Sequence, residues 1–152
     1  MDKIDEQLIA ILAENSRISL KDLSQQVNLS SPSTSERLRR LEERQIIRSY
    51  TLDLDQRAFG YNLQAIVRIK PQTGMLHRVA QMIQETPECV ECDKITGDDC
   101  FISRLFIQSL EQLDTITDRW AEHADIHTSI VKSSPVMRRL PPLMQPSQGE
   151  KI

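Results

Sequence analysis

Apolar residues near the start of the chain recur at helical spacing in three short runs. The first run predicts a helix over residues 4–15. The second run begins after Ser19, which is suited to cap a helix, and Asn28 is placed to end that helix in the left-handed conformation. The third run begins at Ser31 and Pro32, as N-cap and first helical residue. Three helices joined by tight turns indicate a helix-turn-helix.

The third helix presents two different stripes of side chains. At about 100° per residue, one stripe is polar and basic and the other is apolar. The first stripe consists of Ser33, Arg37, Arg40 and Arg44, and the second of Thr34, Leu38 and Leu41. Residues 46–54 then alternate between apolar and polar side chains, which predicts a β-hairpin, or wing, after the helix. The N-terminal part is therefore predicted to be a winged helix-turn-helix.

Beyond residue 62 the hydrophobic pattern alternates between strand and helix. The predicted order is strand at 65–69, helix at 76–83, strand at 90–96, strand at 100–107, helix at 110–120 and strand at 126–131. This order is typical of a ferredoxin-like βαββαβ sandwich, in which one antiparallel sheet carries two helices on one face. The other face of the sheet needs a cover, and a second copy of the chain is the simplest one.

These patterns predict an α+β protein with two domains. The winged helix-turn-helix covers residues 1–54, and the periodicity lapses around Gly60, which indicates a linker over residues 55–62. The ferredoxin-like domain covers residues 63–143, where the open face of the sheet predicts oligomerisation. Residues 144–152 show no pattern and are predicted to be a disordered tail.

Composition and charge narrow the class of protein. Hydrophobic residues make up 39% of the 152 residues, which suits a packed core. The chain shows no secretion signal and no apolar run that could cross a bilayer, so we expect a cytoplasmic protein. The net charge is −3, but residues 31–50 hold five arginines against three glutamates. The local electrostatic field is therefore positive at the third helix.

Side chains of the third helix are the candidates for DNA contacts. Residues in the first turns of a recognition helix reach base edges, whereas arginines further along are placed for phosphates. The candidates for base contacts are Ser31, Ser33, Ser35, Glu36 and Arg37, and the candidates for phosphate contacts are Arg40, Arg44 and Arg48. Glu36 has two interpretations, a cytosine contact or a group that orients Arg40. The alternative for the whole face is a solvated surface held by Glu–Arg pairs.

The sequence shows little sign of metal or catalytic chemistry. Cys89 and Cys92 form a C-x-x-C pair, but a zinc site normally needs four ligands and no second pair follows, so no metal site is predicted. The three cysteines are an odd number and are expected to be reduced. No phosphate-binding loop, paired carboxylates or Ser-His-Asp pattern is present, so we expect neither an enzyme nor a cofactor.

Two dense stretches of the sequence resemble the Lrp/AsnC (leucine-responsive regulatory protein/asparagine-operon regulator) family of transcription factors. In the first, I-D-x-x-L-I-x-I-L at residues 4–12 is followed by L-S-x-P-S-x-x-E-R-L-R-R-L-E at residues 29–42. The second is I-T-G-D-D-C-F at residues 95–101. The similarity runs over residues 2–131. Two departures stand out, because the family often has Gly at the position of Gln45 and Asp at that of Cys100.

The resemblance implies a DNA-binding domain joined to an amino-acid-sensing domain, in dimers formed through the sheets and often in larger rings such as octamers. It also implies an effector site in the turn between the middle strands, at Thr96, Gly97, Asp98, Asp99 and Cys100. A free amino acid is a zwitterion, whose carboxylate suits backbone N–H groups around Gly97 and whose ammonium suits Asp98 or Asp99. Two alternatives stay open, a plain connecting turn and a DNA-architectural regulator of the same fold without an effector.

Overall fold

The protein consists of two compact units. A computed structural model describes residues 1–98 and 100–143. One unit contains Met1–Asp53 together with the described residues from Val136 onward, and the other contains Leu54–Pro135. Within the described ranges, no helix is both long and apolar enough to cross a membrane. The predicted tail at residues 144–152 lies outside the described residues.

Three helices build the first unit. They are α1 (Lys3–Glu14), α2 (Leu20–Gln26) and α3 (Ser31–Glu43). Their apolar stripes meet in a small core around Leu8, Leu23 and Val27. On α3, Thr34 and Leu41 are 0% and 2% exposed, which confirms the predicted apolar stripe of this helix.

Polar side chains and a left-handed residue fix the helix ends. Ser19 caps α2, since its Oγ accepts the backbone N–H of Asp22 at 3.1 Å. Asn28 ends the same helix with φ of +54°, as predicted. The N-cap of α3 is Ser30 and not the predicted Ser31, because the Oγ of Ser30 accepts the N–H three residues later at 3.3 Å. Adjacent serines have the same capping chemistry, so their sequence alone does not separate them.

The chain after α3 departs from the prediction. Residues 46–54 are all described and form no strand, so the predicted β-hairpin, or wing, is wrong. Tyr50, Leu52 and Leu54 are 51%, 76% and 48% exposed, so within one chain the alternating apolar residues have no sheet or core to pack against. Tyr50 instead donates its hydroxyl to Glu42 Oε1 at 2.9 Å. Burial and this hydrogen bond raise the pKa of Tyr50 to about 12.

The second unit is a four-stranded antiparallel sheet with two helices. After a short 3₁₀-helix (Gln56–Phe59), its elements are β1 (Leu63–Pro71), α4 (Leu76–Gln84), β2 (Cys89–Lys94), β3 (Phe101–Ile107), α5 (Leu110–Ala121) and β4 (Ala124–Ile130). The strand order is β2-β3-β1-β4, and every neighbouring pair is antiparallel. This topology confirms the predicted βαββαβ sandwich.

The core of the second unit lies between its helices and one face of the sheet. Alternate residues of β1 and β3 point to the helices and are buried. They are Ala65, Val67, Ile69, Phe101, Ser103, Leu105 and Ile107. Trp120 of α5 packs against them at 1% exposure. The intervening residues, among them Ile66, Ile102 and Phe106, form the opposite face of the sheet, which carries neither helix of the second unit.

Candidate nucleic-acid interface and effector turn

The face of α3 that points away from the core is the candidate nucleic-acid interface. The helix packs through Thr34 and Leu41, which lie on one side of its axis. Glu36, Arg39 and Arg40 lie on the other side, with side chains 41%, 56% and 67% exposed. A helix with one buried stripe and an exposed polar face that carries arginines is an arrangement that can enter a major groove.

Ion pairs along α3 hold its basic side chains in place. Glu36 Oε1 accepts from Arg39 Nη2 at 2.7 Å and from Arg40 Nε at 3.0 Å, and Arg39 also pairs with Glu43. The hydrogen bonds from Arg39 and Arg40 lower the pKa of Glu36, which therefore stays ionised. Of the two interpretations of Glu36, this geometry favours the one in which it orients Arg40.

Arg37 lies apart from the rest of the predicted stripe. Its Nη1 donates to Asp2 Oδ2 at 2.6 Å and to Asp5 Oδ1 at 2.8 Å, in the first turn of α1. Asp2 and Asp5 also form the capping box of α1, in which each carboxylate accepts the other's backbone N–H. The backbone N–H of Asp5 and then Arg37 lower the pKa of Asp2. Arg37 therefore joins α3 to α1, and this pairing does not favour the base contact predicted for it.

Of the other residues predicted to contact DNA, one faces a neighbouring helix and four are exposed at the surface. Ser31 Oγ lies 3.3 Å from Ser24 Oγ of α2, so Ser31 faces the neighbouring helix. Ser33, Ser35, Arg44 and Arg48 are exposed, as the DNA contacts predicted for them would require. Arg39 lies outside the sector of the predicted stripe, and its ion pairs with Glu36 and Glu43 hold it at the surface.

The end of α3 keeps its usual geometry despite the departure at Gln45. Gln45 has φ of +56°, in the left-handed region that favours glycine. Its N–H donates to Glu42 O at 2.9 Å, and the N–H of Ile46 donates to Leu41 O at 2.9 Å. This pair of bonds is the Schellman helix ending, in which glycine is common. The helix therefore ends as it would with glycine, at the expense of local backbone strain.

The predicted effector residues lie in and beside the turn between β2 and β3. Thr96, Gly97 and Asp98 are exposed, and Gly97 has φ of +113°, a conformation that side chains rarely permit. Asp99 lies outside the described residues. Cys100 is half-buried and packs against the core of the second unit. Its N–H donates to Ile69 O at 3.0 Å, so the backbone of Cys100 belongs to the sheet rather than to the free turn.

Both units match known protein domains. Residues 1–42 match the AsnC-type helix-turn-helix domain, and residues 64–141 match the Lrp/AsnC ligand binding domain. The HTH-type transcriptional regulator LrpC of Bacillus subtilis is 32% identical over 133 residues, which cover 88% of this chain and 92% of LrpC. The Bkd operon transcriptional regulator of Pseudomonas aeruginosa is 30% identical over 150 residues, or 94% of this chain and 98% of that protein.

Solved structures agree with these matches. The structure of B. subtilis LrpC superposes with a TM-score of 0.86 at 30% identity, covering 91% of this chain and 99% of LrpC. The L-Met complex of the transcriptional regulator NMB0573 from Neisseria meningitidis gives a TM-score of 0.84 at 26% identity, covering 93% and 96%. These proteins are transcription regulators and not enzymes. The chain belongs to the Lrp/AsnC family of DNA-binding transcription regulators.

Proposed function

We propose that this regulator binds DNA as a dimer or larger assembly, through α3 of two copies, and that a free amino acid modulates this binding. The observation that carries the proposal is the exposed polar face of α3, which carries Arg39 and Arg40 and lies opposite the helix's buried stripe. Two copies related by a two-fold axis would place their α3 helices in successive major grooves of a pseudo-palindromic site, about 34–36 Å apart. A DNA-binding regulator of this kind would act in the cytoplasm.

The positions on α3 suggest a division between base and phosphate contacts. Ser33 and Ser35 are exposed in the first turns, where short polar side chains reach base edges. Arg40, Arg44 and Arg48 are exposed further along the chain, where guanidinium groups suit phosphates. A single α3 offers few phosphate contacts, and affinity rises with the number of phosphates neutralised. Because one copy makes so few phosphate contacts, we infer that two or more copies bind DNA together.

A second copy of the chain is the occupant that we propose for the open face of the sheet. This face carries Ile66, Ile102 and Phe106 among polar neighbours, and neither helix of the second unit covers it. The exposed apolar residues Leu52 and Leu54 give a further surface that one chain leaves in water. Dimers with two-fold symmetry bury such patches against their own copies. Octamers or other larger assemblies would extend the same principle.

The turn at Thr96, Gly97 and Asp98 is the proposed effector site. The backbone N–H groups around Gly97 suit a carboxylate, and the Asp98 carboxylate suits an ammonium group. The L-Met complex of the N. meningitidis regulator supports an amino acid as the ligand class. On one chain these residues are exposed, so we expect another copy to complete the site. The amino acid would shift the assembly between states that it binds with different affinity.

The DNA affinity of α3 variants tests whether the exposed face of this helix, which we call the recognition face, contacts DNA. A duplex selected from random sequence by the purified protein would be titrated by fluorescence anisotropy at several salt concentrations. We expect Arg44→Ala to weaken binding to all sequences alike and to reduce the salt slope by about 1, as loss of one phosphate contact requires. Arg119→Ala, an exposed arginine in α5 of the second unit, is the matched control and should bind as the parent does. Parent-like binding by both Arg40→Ala and Arg44→Ala would exclude this face.

A further inference from the structure

Cys89 and Cys92 lie on the edge strand β2, where a β-bulge changes the face to which they point. Residues three apart on a regular strand point to opposite faces of the sheet. Here Cys89 pairs with Leu105 and Cys92 pairs with Ser103, because the register shifts between Cys89 and Glu91. Leu105 and Ser103 are both buried on the face that packs against the helices. The bulge therefore places both thiols on this one face.

The two thiols share one electrostatic environment. Cys92 is exposed and Cys89 is half-buried, with its Sγ donating to the carbonyl of Glu91 at 3.4 Å. Burial raises the pKa of the Cys89 thiol, the Ser103 hydroxyl opposes this rise, and charge on Cys92 adds to it.

Ser103 adds a buried hydroxyl that has no hydrogen-bond partner among the described residues. Its side chain is 1% exposed, and it lies across the strand pair from Cys92. Buried hydroxyl groups in folded proteins are normally hydrogen-bonded. A thiolate at Cys89 would accept a hydrogen bond from this hydroxyl, because ionised sulfur is a stronger acceptor than a neutral thiol. The unpaired Ser103 hydroxyl therefore lies beside Cys89, where a metal-bound thiolate would accept its hydrogen bond.

The spacing of the two cysteines disfavours a disulfide between them but allows both to bind one metal ion. Because of the bulge they occupy alternate positions on one face, about 7 Å apart along the strand. A disulfide needs its two Cβ atoms about 3.5–4.5 Å apart, so it would require the backbone to move. Two thiolates about 2.3 Å from a shared metal ion lie up to about 4.6 Å apart. Rotation about χ1 moves the sulfurs and not the Cβ atoms, so a shared metal ion asks less of the backbone than a disulfide does.

The number of ligands selects the class of metal. Within residues 1–98 and 100–143, no group of three or more His, Cys, Asp or Glu side chains could hold a metal ion. A tetrahedral zinc site therefore has too few ligands in this part of the chain. Soft cations such as Cu(I) prefer thiolate ligands, and linear coordination by two sulfurs satisfies them.

We propose that Cys89 and Cys92 form a two-thiolate site for a soft monovalent cation of the Cu(I) or Ag(I) class, with Ser103 donating a hydrogen bond to the metal-bound sulfur of Cys89. Two metal–sulfur bonds form, and the two thiol protons pass to solvent, so no oxidant or reductant takes part. The site is on β2 and β3 and does not use the recognition face of α3. It is thus independent of the DNA contacts proposed above.

Titration with Ag(I) tests this site, because silver stays monovalent in air. The reduced full-length protein would be titrated with silver nitrate, with stoichiometry read by native mass spectrometry and affinity by competition with a soluble thiol. We expect one tightly bound equivalent per chain in the parent and in Cys100→Ser, which is the matched control. Cys92→Ser should lose that equivalent, and since Cys92 is exposed this variant should keep the parent's circular dichroism and melting temperature.

The contribution of Ser103 has a separate readout. Ser103→Ala should bind silver about 10-fold more weakly, in the range seen when a hydrogen bond to a metal ligand is removed. An unchanged silver affinity in this variant would remove Ser103 from the site. The whole proposal would be overturned by absence of a tight equivalent in the parent, by its survival in Cys92→Ser, or by its loss in Cys100→Ser.

Discussion

The left-handed residue at the end of α3 offers a quantitative test of the local structure. Gln45 has φ of +56°, and the two hydrogen bonds to Glu42 O and Leu41 O hold it there. A side chain in the left-handed region costs about 1–2 kcal/mol, a strain that glycine does not have. Replacing Gln45 with glycine should therefore stabilise the folded chain.

The expected size of this effect is the difference between two opposing terms. Glycine relieves the left-handed strain, but it also gives the unfolded chain more conformational freedom, which costs about 0.4–1 kcal/mol. The Gln45 side chain contributes a 3.3 Å contact from Nε2 to Glu42 O at the exposed surface, so its loss adds little. We expect Gln45→Gly to raise the free energy of unfolding by roughly 0.5–1 kcal/mol. For a chain of this size that corresponds to about 1–4 °C in melting temperature.

Urea unfolding followed by circular dichroism would measure this change. The matched control is Asn28→Gly, because Asn28 has φ of +54° in the same kind of helix ending, but asparagine tolerates that region. The increase in the free energy of unfolding should be clearly smaller for Asn28→Gly than for Gln45→Gly. Gln45→Ala keeps a Cβ atom in the strained region and should give no gain. A neutral or destabilising effect of Gln45→Gly, at an unchanged denaturant slope, would refute the strain argument.

Three further predictions concern the joint between α1 and α3 and the effector turn. The pKa of Asp2 is lowered in the folded state by the backbone N–H of Asp5 and by Arg37, so the stabilisation is complete above the ordinary pKa and is lost as the pH falls through the folded value. Thermal melts should therefore show stability falling below about pH 4, and Asp2→Asn should flatten that dependence. Arg37→Ala should lower the melting temperature more at low salt than at high salt, as loss of partly exposed ion pairs does. Gly97→Trp should abolish the melting-temperature increase caused by the effector amino acid, but leave DNA binding intact, because no L side chain fits φ of +113° without strain.

Each of these has an outcome that would contradict it. An equal pH dependence in Asp2→Asn would mean that Asp2 is not the group that titrates. Unchanged stability in Arg37→Ala, together with a loss of DNA specificity, would show that Arg37 leaves α1 to contact a base. A full thermal response to the amino acid in Gly97→Trp would move the effector site away from the turn.

The helices and strands were predictable because each one buries side chains at the residue spacing typical of a helix or of a strand. The apolar stripe of α3 is buried at Thr34 and Leu41. The apolar run predicted as a strand over residues 100–107 forms β3, in which alternate residues are buried. Residues 46–54 show the limit of this reasoning. Their alternation is a strand pattern, but a strand also needs a partner, and the local sequence does not say whether that partner lies in the same chain.

The candidate site was predictable only in part. A helical projection shows which side chains share a face of the helix, but not which other parts of the chain lie against that face. Arg37 lies within the predicted stripe, yet it borders α1, whose carboxylates at Asp2 and Asp5 are more than 30 residues away in sequence. The pair Cys89 and Cys92 shows the same limit in the sheet. Their three-residue spacing predicts opposite faces on a strand, and the bulge that reverses this depends on pairing with β3.

The central claim is that one chain binds DNA and senses an amino acid, and that the two events are coupled. The most direct test measures the affinity for a selected DNA site with each of the twenty amino acids present at saturating concentration. We predict that at least one amino acid changes the dissociation constant by about fivefold or more, and that DNA changes the affinity for that amino acid by the same factor, as linkage requires. An unchanged DNA affinity with all twenty would contradict amino-acid control.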